Sequence, residues 1–119
     1  MADRISLRNM VFYAYHGAYA VEHELGRRFE VDVDLFTDLR PAGSADELAL
    51  TINYAEVYAI VKEIVEGGPH KLLETVAETV AARLLAALPA ARVTVRVRKP
   101  HAPVGGPVDY AEIEITRPA

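Results

Sequence analysis

The sequence predicts an α+β domain in which two helices cover one face of a four-stranded antiparallel sheet. Segments that alternate apolar and charged residues occur near both ends of the chain, as expected for half-buried strands. Between them lie two segments whose apolar residues recur at helical spacing. The resulting order, β-β-α-α-β-β, fits a single domain over residues 1–119, which is long enough to bury its own core.

Four segments are predicted to be strands. Residues 5–15 are the least regular and are rich in the aromatic side chains that strands favour. Residues 29–35 alternate between apolar and acidic side chains, and residues 92–98 between apolar and mainly basic ones. Residues 111–115 are again acidic on their polar face. The last three strands therefore each have one face for the core and one charged face.

The two helices are predicted from their apolar periodicity and their end signals. The first begins at Tyr54, after Asn53 as N-cap, and Glu56 completes the pattern of a capping box. Two glycines and a proline end this helix near residue 66. The second covers residues 72–88 and ends before a proline.

The charges on the polar faces predict the order of the strands. The residues concerned are Glu30, Asp32 and Asp34 in the second strand, Arg96 and Arg98 in the third, and Glu112 and Glu114 in the fourth. Because opposite charges are favourable across neighbouring strands and like charges are not, the third strand should lie between the second and the fourth. The predicted order is 1-2-3-4. The first and last strands are then exposed edges, which favour edge-to-edge pairing with further copies and closure around a polar tunnel.

The composition narrows the classes of function. The net charge of −4 comes from interspersed acids and bases, which argues against nucleic acid as a partner because phosphate binding needs a basic patch. No apolar stretch is long enough to span a bilayer, and the first residues lack a signal-peptide pattern. The absence of cysteine fits a reducing compartment, so we expect a cytoplasmic protein. Four histidines without close ligand spacing argue against a zinc site, so no metal is expected.

Lys99 is the first candidate for chemistry. The chain has ten arginines but only three lysines, and Lys99 lies where the third strand meets a proline. Arginine stays charged in proteins, whereas lysine can lose its proton in a suitable environment. Lys99 is therefore a candidate proton-transfer group. The ordinary alternative is a solvated charge at a strand end.

Further candidates gather around the predicted rim of the sheet. Glu22 lies in the loop after the first strand, Tyr54 begins the first helix, and Leu73 and Glu74 lie in the first turn of the second helix. Each has an ordinary explanation: a solvated loop acid, a core aromatic, or an acid that favours the positive end of a helix. His16, before a glycine, is interpreted as a hydrogen-bonded turn histidine.

The combination of these features is more specific than any one of them. In chain order it comprises His16-Gly17, Glu22, Asn53-Tyr54, Leu73-Glu74, Lys99-Pro100 and Ala102-Pro103-Val104-Gly105. From about residue 5 to residue 117 this pattern resembles the dihydroneopterin aldolase family of folate synthesis. The family often has a different polar residue at the position of Asn53, which remains a good cap. The resemblance implies the tunnelling fold and a retro-aldol cleavage of 7,8-dihydroneopterin, which yields 6-hydroxymethyl-7,8-dihydropterin and glycolaldehyde.

The resemblance also implies roles for the candidate residues. Lys99 would be the main proton carrier. Tyr54 would be its catalytic partner and would also contact the substrate. Glu74 would accept two hydrogen bonds from the amino and ring N–H groups of the pterin, and Leu73 would help through its backbone. Glu22 would bind near the polar side chain of the substrate or tune Lys99. The substrate supplies its own electron sink, so no cofactor is expected.

The family commonly forms two stacked tetrameric rings with substrate bound between neighbouring subunits. We therefore expect a homo-oligomer, as an octamer, in which Tyr54 is contributed across a subunit boundary. A hydrophobic content of 51% points in the same direction.

The sequence is also compatible with two alternative functions. The first is a dihydroneopterin epimerase, an isomerase that breaks and remakes the same bond from the other face. The second is a non-catalytic domain that binds pterins or purines through Glu74. The presence of both Lys99 and Tyr54 argues against a purely binding role.

Overall fold

A computed structural model describes residues 3–119. The strands are β1 (Arg4–Ala14), β2 (Arg27–Phe36), β3 (Arg92–Pro100) and β4 (Tyr110–Pro118). The helices are α1 (Ala20–Leu25), α2 (Arg40–Ala45), α3 (Tyr54–Val65) and α4 (Leu73–Ala87), with a turn of 3-10 helix at Leu48–Leu50. The four strands and the two long helices are confirmed. The short helices α1 and α2 are additional, and each is too brief to show a helical period in the sequence.

The strand order is β1-β2-β3-β4, and all three neighbouring pairs are antiparallel. The predicted order is therefore confirmed, and so is the charge argument behind it. In the register of β2 with β3, Glu30 lies opposite Arg98 and Asp32 opposite Arg96. On the other side of β3, Arg96 lies opposite Glu114.

The ion pairs on this polar face are diagonal between β3 and β2 at their shortest, and directly opposite between β3 and β4. Arg98 donates two hydrogen bonds to the carboxylate of Asp32, at 2.8 and 2.7 Å, and a third to Glu112 at 3.0 Å. Arg96 bonds Asp34 at 2.9 Å. The hydrogen bonds from Arg98 outweigh burial and lower the pKa of Asp32 to about 2.

The opposite face of the sheet forms the core with α3 and α4. Its fully buried side chains are mostly β-branched, which suits a pleated surface under helices. They include Val31 and Val33 of β2, Val93 and Val95 of β3, Val57 and Val61 of α3, and Val80 and Leu84 of α4. This packing fixes where β3 ends relative to the start of α4.

The start of α3 follows from its capping, whereas α4 has no side-chain cap. Asn53 Oδ1 accepts a hydrogen bond from Ala55 N–H at 3.0 Å, which confirms the predicted N-cap. In a capping box the N–H of Glu56 would donate to the Asn53 side chain, but here it donates to the backbone carbonyl of Asn53, also at 3.0 Å. Leu72 is extended, so α4 begins at Leu73, one residue later than predicted.

The irregularity of the first strand has a specific cause. The register with β2 shifts between Leu7 and Met10, and Asn9 has a φ of 56°. Its N–H donates to Asp32 Oδ1 at 2.7 Å. This is a β-bulge, and it interrupts the alternation that the other strands show.

Candidate active site

Lys99 is the last residue but one of β3, and its side chain is turned into the protein. It follows Val97 by two residues and therefore lies on the face of the sheet that the helices cover. The side chain is 11% exposed, and Nζ donates a hydrogen bond to Glu22 Oε2 at 2.7 Å. The ordinary alternative of a solvated strand-end charge is therefore wrong. The residue is one half of a buried ion pair.

Glu22 lies on α1, whereas the sequence placed it in a loop. Its second carboxylate oxygen accepts a hydrogen bond from Tyr19 N–H at 3.2 Å, at the start of this helix. Burial alone would raise the pKa of Glu22. The hydrogen bond from Lys99, the bond from Tyr19 and the positive charge of Arg27 together hold that pKa below its ordinary value. Glu22 is therefore an anion at neutral pH.

Gly17 makes room for the Glu22 carboxylate. A Cβ at this position would lie 2.3 Å from both Cδ and Oε1 of Glu22, closer than any real contact. Its φ of +155° also disfavours other residues. The absence of a side chain at residue 17 thus allows the acid to reach Lys99.

Leu73 and Glu74 lie in the first turn of α4, as predicted. Glu74 is exposed, and Leu73 is half-buried. Both line a cleft of about 240 Å³ together with Glu22 and Lys99. The other lining residues are Ala18, Tyr19, Lys71, Leu72, Ala102, Pro103 and Ala111. The fold thus brings four of the five predicted site residues to one cleft, which is lined by an exposed carboxylate and a buried acid–base pair.

Tyr54 is the predicted site residue that the structure does not bring to this cleft. It begins α3, is 62% exposed, and is not among the residues that line the cleft within one chain.

Arg27 is a residue of this region that the sequence analysis missed. Its Nη1 donates to the carbonyl oxygens of Pro100 and His101, each at 3.3 Å, and its Nε lies 3.9 Å from Glu22 Oε2. It therefore holds the segment after Lys99 and adds a second positive charge beside Glu22. Nothing in the sequence separates it from the neighbouring Arg28.

A second, larger cleft of about 610 Å³ lies at the end of the sheet. It is lined by Arg27, Arg28, Glu30, Pro100, His101, Asp109 and Tyr110. The charges of Arg28 and Glu30 are paired there at 2.6 Å. The smaller cleft is the better candidate for chemistry, because it contains a desolvated acid–base pair.

Two further properties concern the part of the chain that the structure describes. Over residues 3–119, no three His, Asp or Glu side chains come together in a way that could hold a metal ion. In the same range no helix is both long and apolar enough to cross a membrane.

Comparison with known proteins connects this fold and cleft to one family. The family model for dihydroneopterin aldolase (FolB) matches residues 5–116. A dihydroneopterin aldolase of Bacillus subtilis is 47% identical over 116 residues, which cover 97% of each chain.

Solved structures that resemble this fold belong to the same family. The structure of Escherichia coli dihydroneopterin aldolase in complex with neopterin has a TM-score of 0.89 at 28% identity, covering 97% of this chain and 98% of that one. A dihydroneopterin aldolase from Burkholderia thailendensis bound to guanine has a TM-score of 0.79 at 30% identity, covering 98% and 91%. The chain therefore belongs to the dihydroneopterin aldolase family, whose members are lyases.

Proposed function

We propose that this protein cleaves 7,8-dihydroneopterin into 6-hydroxymethyl-7,8-dihydropterin and glycolaldehyde, a step of tetrahydrofolate biosynthesis. The observation that carries the proposal is the buried pair of Lys99 and Glu22 at 2.7 Å, which shares a cleft with Glu74 in a member of this family. A desolvated acid–base pair at the wall of a cleft is suited to proton transfer.

Glu74 is the proposed anchor for the pterin ring. The Escherichia coli relative is described with neopterin and the Burkholderia relative with guanine. Both molecules present an amino group beside a ring N–H, and a carboxylate can accept a hydrogen bond from each. Glu74 is exposed and in the cleft, so its two oxygens are accessible to such an edge. Leu73 would add contacts through its backbone.

The reaction needs two proton transfers. A base removes the proton from the hydroxyl on the leaving carbon, the carbon–carbon bond breaks, and this hydroxyl carbon becomes the carbonyl of glycolaldehyde. The electron pair of that bond moves into the conjugated imine of the dihydropterin ring, which forms an enamine. An acid then protonates the carbon attached to the ring. The substrate accepts the electrons itself, so we propose that no cofactor takes part.

Lys99 is the proposed main proton carrier, with Tyr54 as its partner. One carboxylate oxygen of Glu22 accepts a hydrogen bond from Lys99 Nζ, and the other accepts one from the N–H of Tyr19. Glu22 would therefore hold the amine at a fixed position while Lys99 gains or loses a proton. This arrangement favours a tuning role for Glu22, and its place in the cleft also allows contact with the polar side chain of the substrate.

Tyr54 is the proposed second catalytic group, supplied by a neighbouring subunit. The residue is 62% exposed within one chain, and the two outer strands, β1 and β4, are free to pair with other copies. Ring closure through these edges, as two stacked tetrameric rings, would bring Tyr54 of one subunit to the cleft of the next. We place this octamer in the cytoplasm, which the lack of cysteine favours.

The test is to follow glycolaldehyde release from 7,8-dihydroneopterin. Continuous release in step with 6-hydroxymethyl-7,8-dihydropterin supports the aldolase. Conversion to the epimeric substrate with little glycolaldehyde would identify an epimerase instead. Binding of a pterin without either product would reduce the protein to a binding domain.

A further inference from the structure

His16 is a buried side chain to which the proposed mechanism assigns no role. It follows β1 and is 1% exposed. Its ring packs edge-on against Phe29, with centroids 5.5 Å apart, and is stacked on His70 at 5.6 Å.

Both ring nitrogens of His16 are hydrogen-bonded to backbone groups, one at the end of α3 and the other in the connection between α3 and α4. The backbone N–H of His70 donates to Nδ1 at 2.9 Å, so Nδ1 carries no proton. Nε2 must then be protonated, and it donates to the carbonyl of Val65 at 2.7 Å. A single neutral tautomer satisfies both partners.

We call the contacts of His16 with Val65 and His70 the joint. The neighbouring backbone extends this joint to α1. Gly17 N–H donates to the carbonyl of His70 at 2.9 Å, so residues 16 and 17 hold both backbone polar groups of His70. The carbonyl of Gly17 accepts from Nε2 of His23 at 2.6 Å. His23 belongs to α1, next to Glu22.

The joint therefore lies between the two halves of the cleft. On one side is α1 with Glu22, which holds Lys99. On the other side the chain runs from His70 to Leu73 and Glu74 at the start of α4. The packing of α4 on the sheet sets the helix itself, but residues 70–72 lead into it, and the first of them, His70, is held by His16 and Gly17.

We propose that His16 is a positioning residue that sets the location of the Glu74 anchor relative to the Glu22–Lys99 pair. This inference rests on the proposed function. A bound pterin contacts both halves, and a misplacement of about 1 Å between reacting groups can cost about 10²-fold in rate. Loss of the joint should therefore slow turnover while the ring still binds to its anchor.

The role requires the neutral imidazole. Burial lowers the pKa of His16, the hydrogen bond to Val65 opposes this, and the neighbouring side chains of His70, His23 and Lys99 lower the pKa further. Protonation would place an N–H on Nδ1, directly against the N–H of His70. The lowered pKa keeps the imidazole neutral at neutral pH, so that Nδ1 can accept the hydrogen bond from His70.

The experiment compares His16→Leu, which loses both hydrogen bonds, with His16→Asn, whose amide oxygen can still accept from His70 N–H. The control is His70→Ala, which removes the stacked ring and keeps both backbone bonds. For each variant we would measure kcat and KM for 7,8-dihydroneopterin and Kd for guanine. We expect His16→Leu to lower kcat by about 10- to 100-fold with Kd for guanine within about threefold. His16→Asn should regain most of kcat, and the control should stay within about threefold of wild type in every constant.

Equal losses of kcat and guanine affinity in His16→Leu, or an unchanged kcat, would overturn the inference. If His16→Leu does not fold, His16→Gln replaces it. The amide of glutamine lies one bond further from the backbone than Nδ1 of histidine, so its oxygen is not placed to accept from the His70 N–H. Equal kcat values for the Gln and Asn variants would then overturn it. The proposed function is judged separately, since it fails if wild-type protein releases no glycolaldehyde.

Discussion

The Nζ of Lys99 lies 2.7 Å from Oε2 of Glu22, and both side chains are almost wholly removed from solvent, at 11% and 4% exposure. The two residues are far apart in sequence and come from different elements, the end of β3 and the helix α1. A buried pair of this kind contributes little net stability, because desolvation opposes the attraction between the charges. Its location in a cleft favours a role in chemistry.

Removing the amine should abolish chemistry while leaving the anchor in place. We expect Lys99→Ala to lower kcat by at least about 10²-fold, since general acid–base catalysis contributes about 10²- to 10⁴-fold. Affinity for guanine should change little, because Glu74 and not Lys99 is the proposed anchor of the ring. Steady-state kinetics and calorimetric titration measure the two quantities. Lys62→Ala is a suitable control, because that lysine lies on the outer face of α3 and pairs with Glu66. Near-normal cleavage by Lys99→Ala would remove this residue from the mechanism.

Gly17→Ala should disrupt the same pair without changing a charge. The new methyl group would lie 2.3 Å from the Glu22 carboxylate, so that Glu22 must move away from Lys99. We expect a large loss of kcat and a destabilisation of about 1–3 kcal/mol from strain at this φ. Gly43→Ala is the matched control, since a Cβ there meets nothing within 4 Å. Thermal unfolding and kcat should both remain near wild type in the control. Wild-type turnover in Gly17→Ala would show that the position of Glu22 does not matter.

Glu74→Gln should have the opposite signature to Lys99→Ala. The amide accepts hydrogen bonds only at its oxygen, so one of two paired donors on the pterin loses its partner. An unpaired buried donor costs about 1–3 kcal/mol, which corresponds to a loss of about one to two powers of ten in affinity. Titration with guanine and with the pterin product measures this loss. The exposed acid Glu78, one turn further along α4 and bonded to Arg117, provides the control as Glu78→Gln. If both variants bind equally well, another residue anchors the ring.

The ion pairs on the polar face of the sheet should make the protein less stable to unfolding in acid. The pKa of Asp32 is about 2 in the folded protein, against an ordinary value of 3.8, because Arg98 bonds its ionised form. A depressed acid pKa contributes stability above pH 3.8 and loses it as pH falls through the folded value. The difference corresponds to about 2 kcal/mol per chain. We expect denaturant unfolding to show this loss between about pH 4 and pH 2, and Asp32→Asn to lack that part of the pH dependence. Parallel curves for the two proteins would contradict the assignment.

The order of the strands was predictable because the charge on the polar face of each strand can be read directly from its own residues. Acidic β2, basic β3 and acidic β4 allow one favourable arrangement, which the structure confirms. The diagonal pairing of Arg98 with Asp32 was not predictable, because it depends on side-chain reach across the twisted sheet and on the bulge at Asn9.

The candidate site was only partly predictable for the same reason. Lys99 and Glu74 lie at ends of elements that the sequence indicates clearly. The contact of Lys99 with Glu22 depends on α1, a helix of six residues with no detectable period, and on the space that Gly17 leaves. The joint at His16 depends on backbone groups of residues 65 and 70, which no side-chain pattern can indicate.

The position of Tyr54 leads to a test of whether the site spans two subunits. Tyr54→Ala and Glu74→Ala each remove one proposed component, and each homo-oligomer should be nearly inactive. If Tyr54 acts across a boundary, a mixed assembly contains some boundaries at which an intact Tyr54 meets a cleft with an intact Glu74. Co-refolding the two variants should then restore activity above the sum of the parents.

The expected recovery can be bounded. With random mixing of equal amounts, one quarter of the boundaries pair the two intact residues, so activity should approach roughly 25% of wild type if each boundary acts independently. Native mass spectrometry verifies that mixed assemblies form, and glycolaldehyde release measures the recovery. A mixture of each variant with itself, refolded in parallel, is the control. Mixed assemblies that stay inactive would show that Tyr54 and Glu74 must belong to the same chain, in which case the exposed tyrosine at the start of α3 would need to reach the cleft of its own subunit.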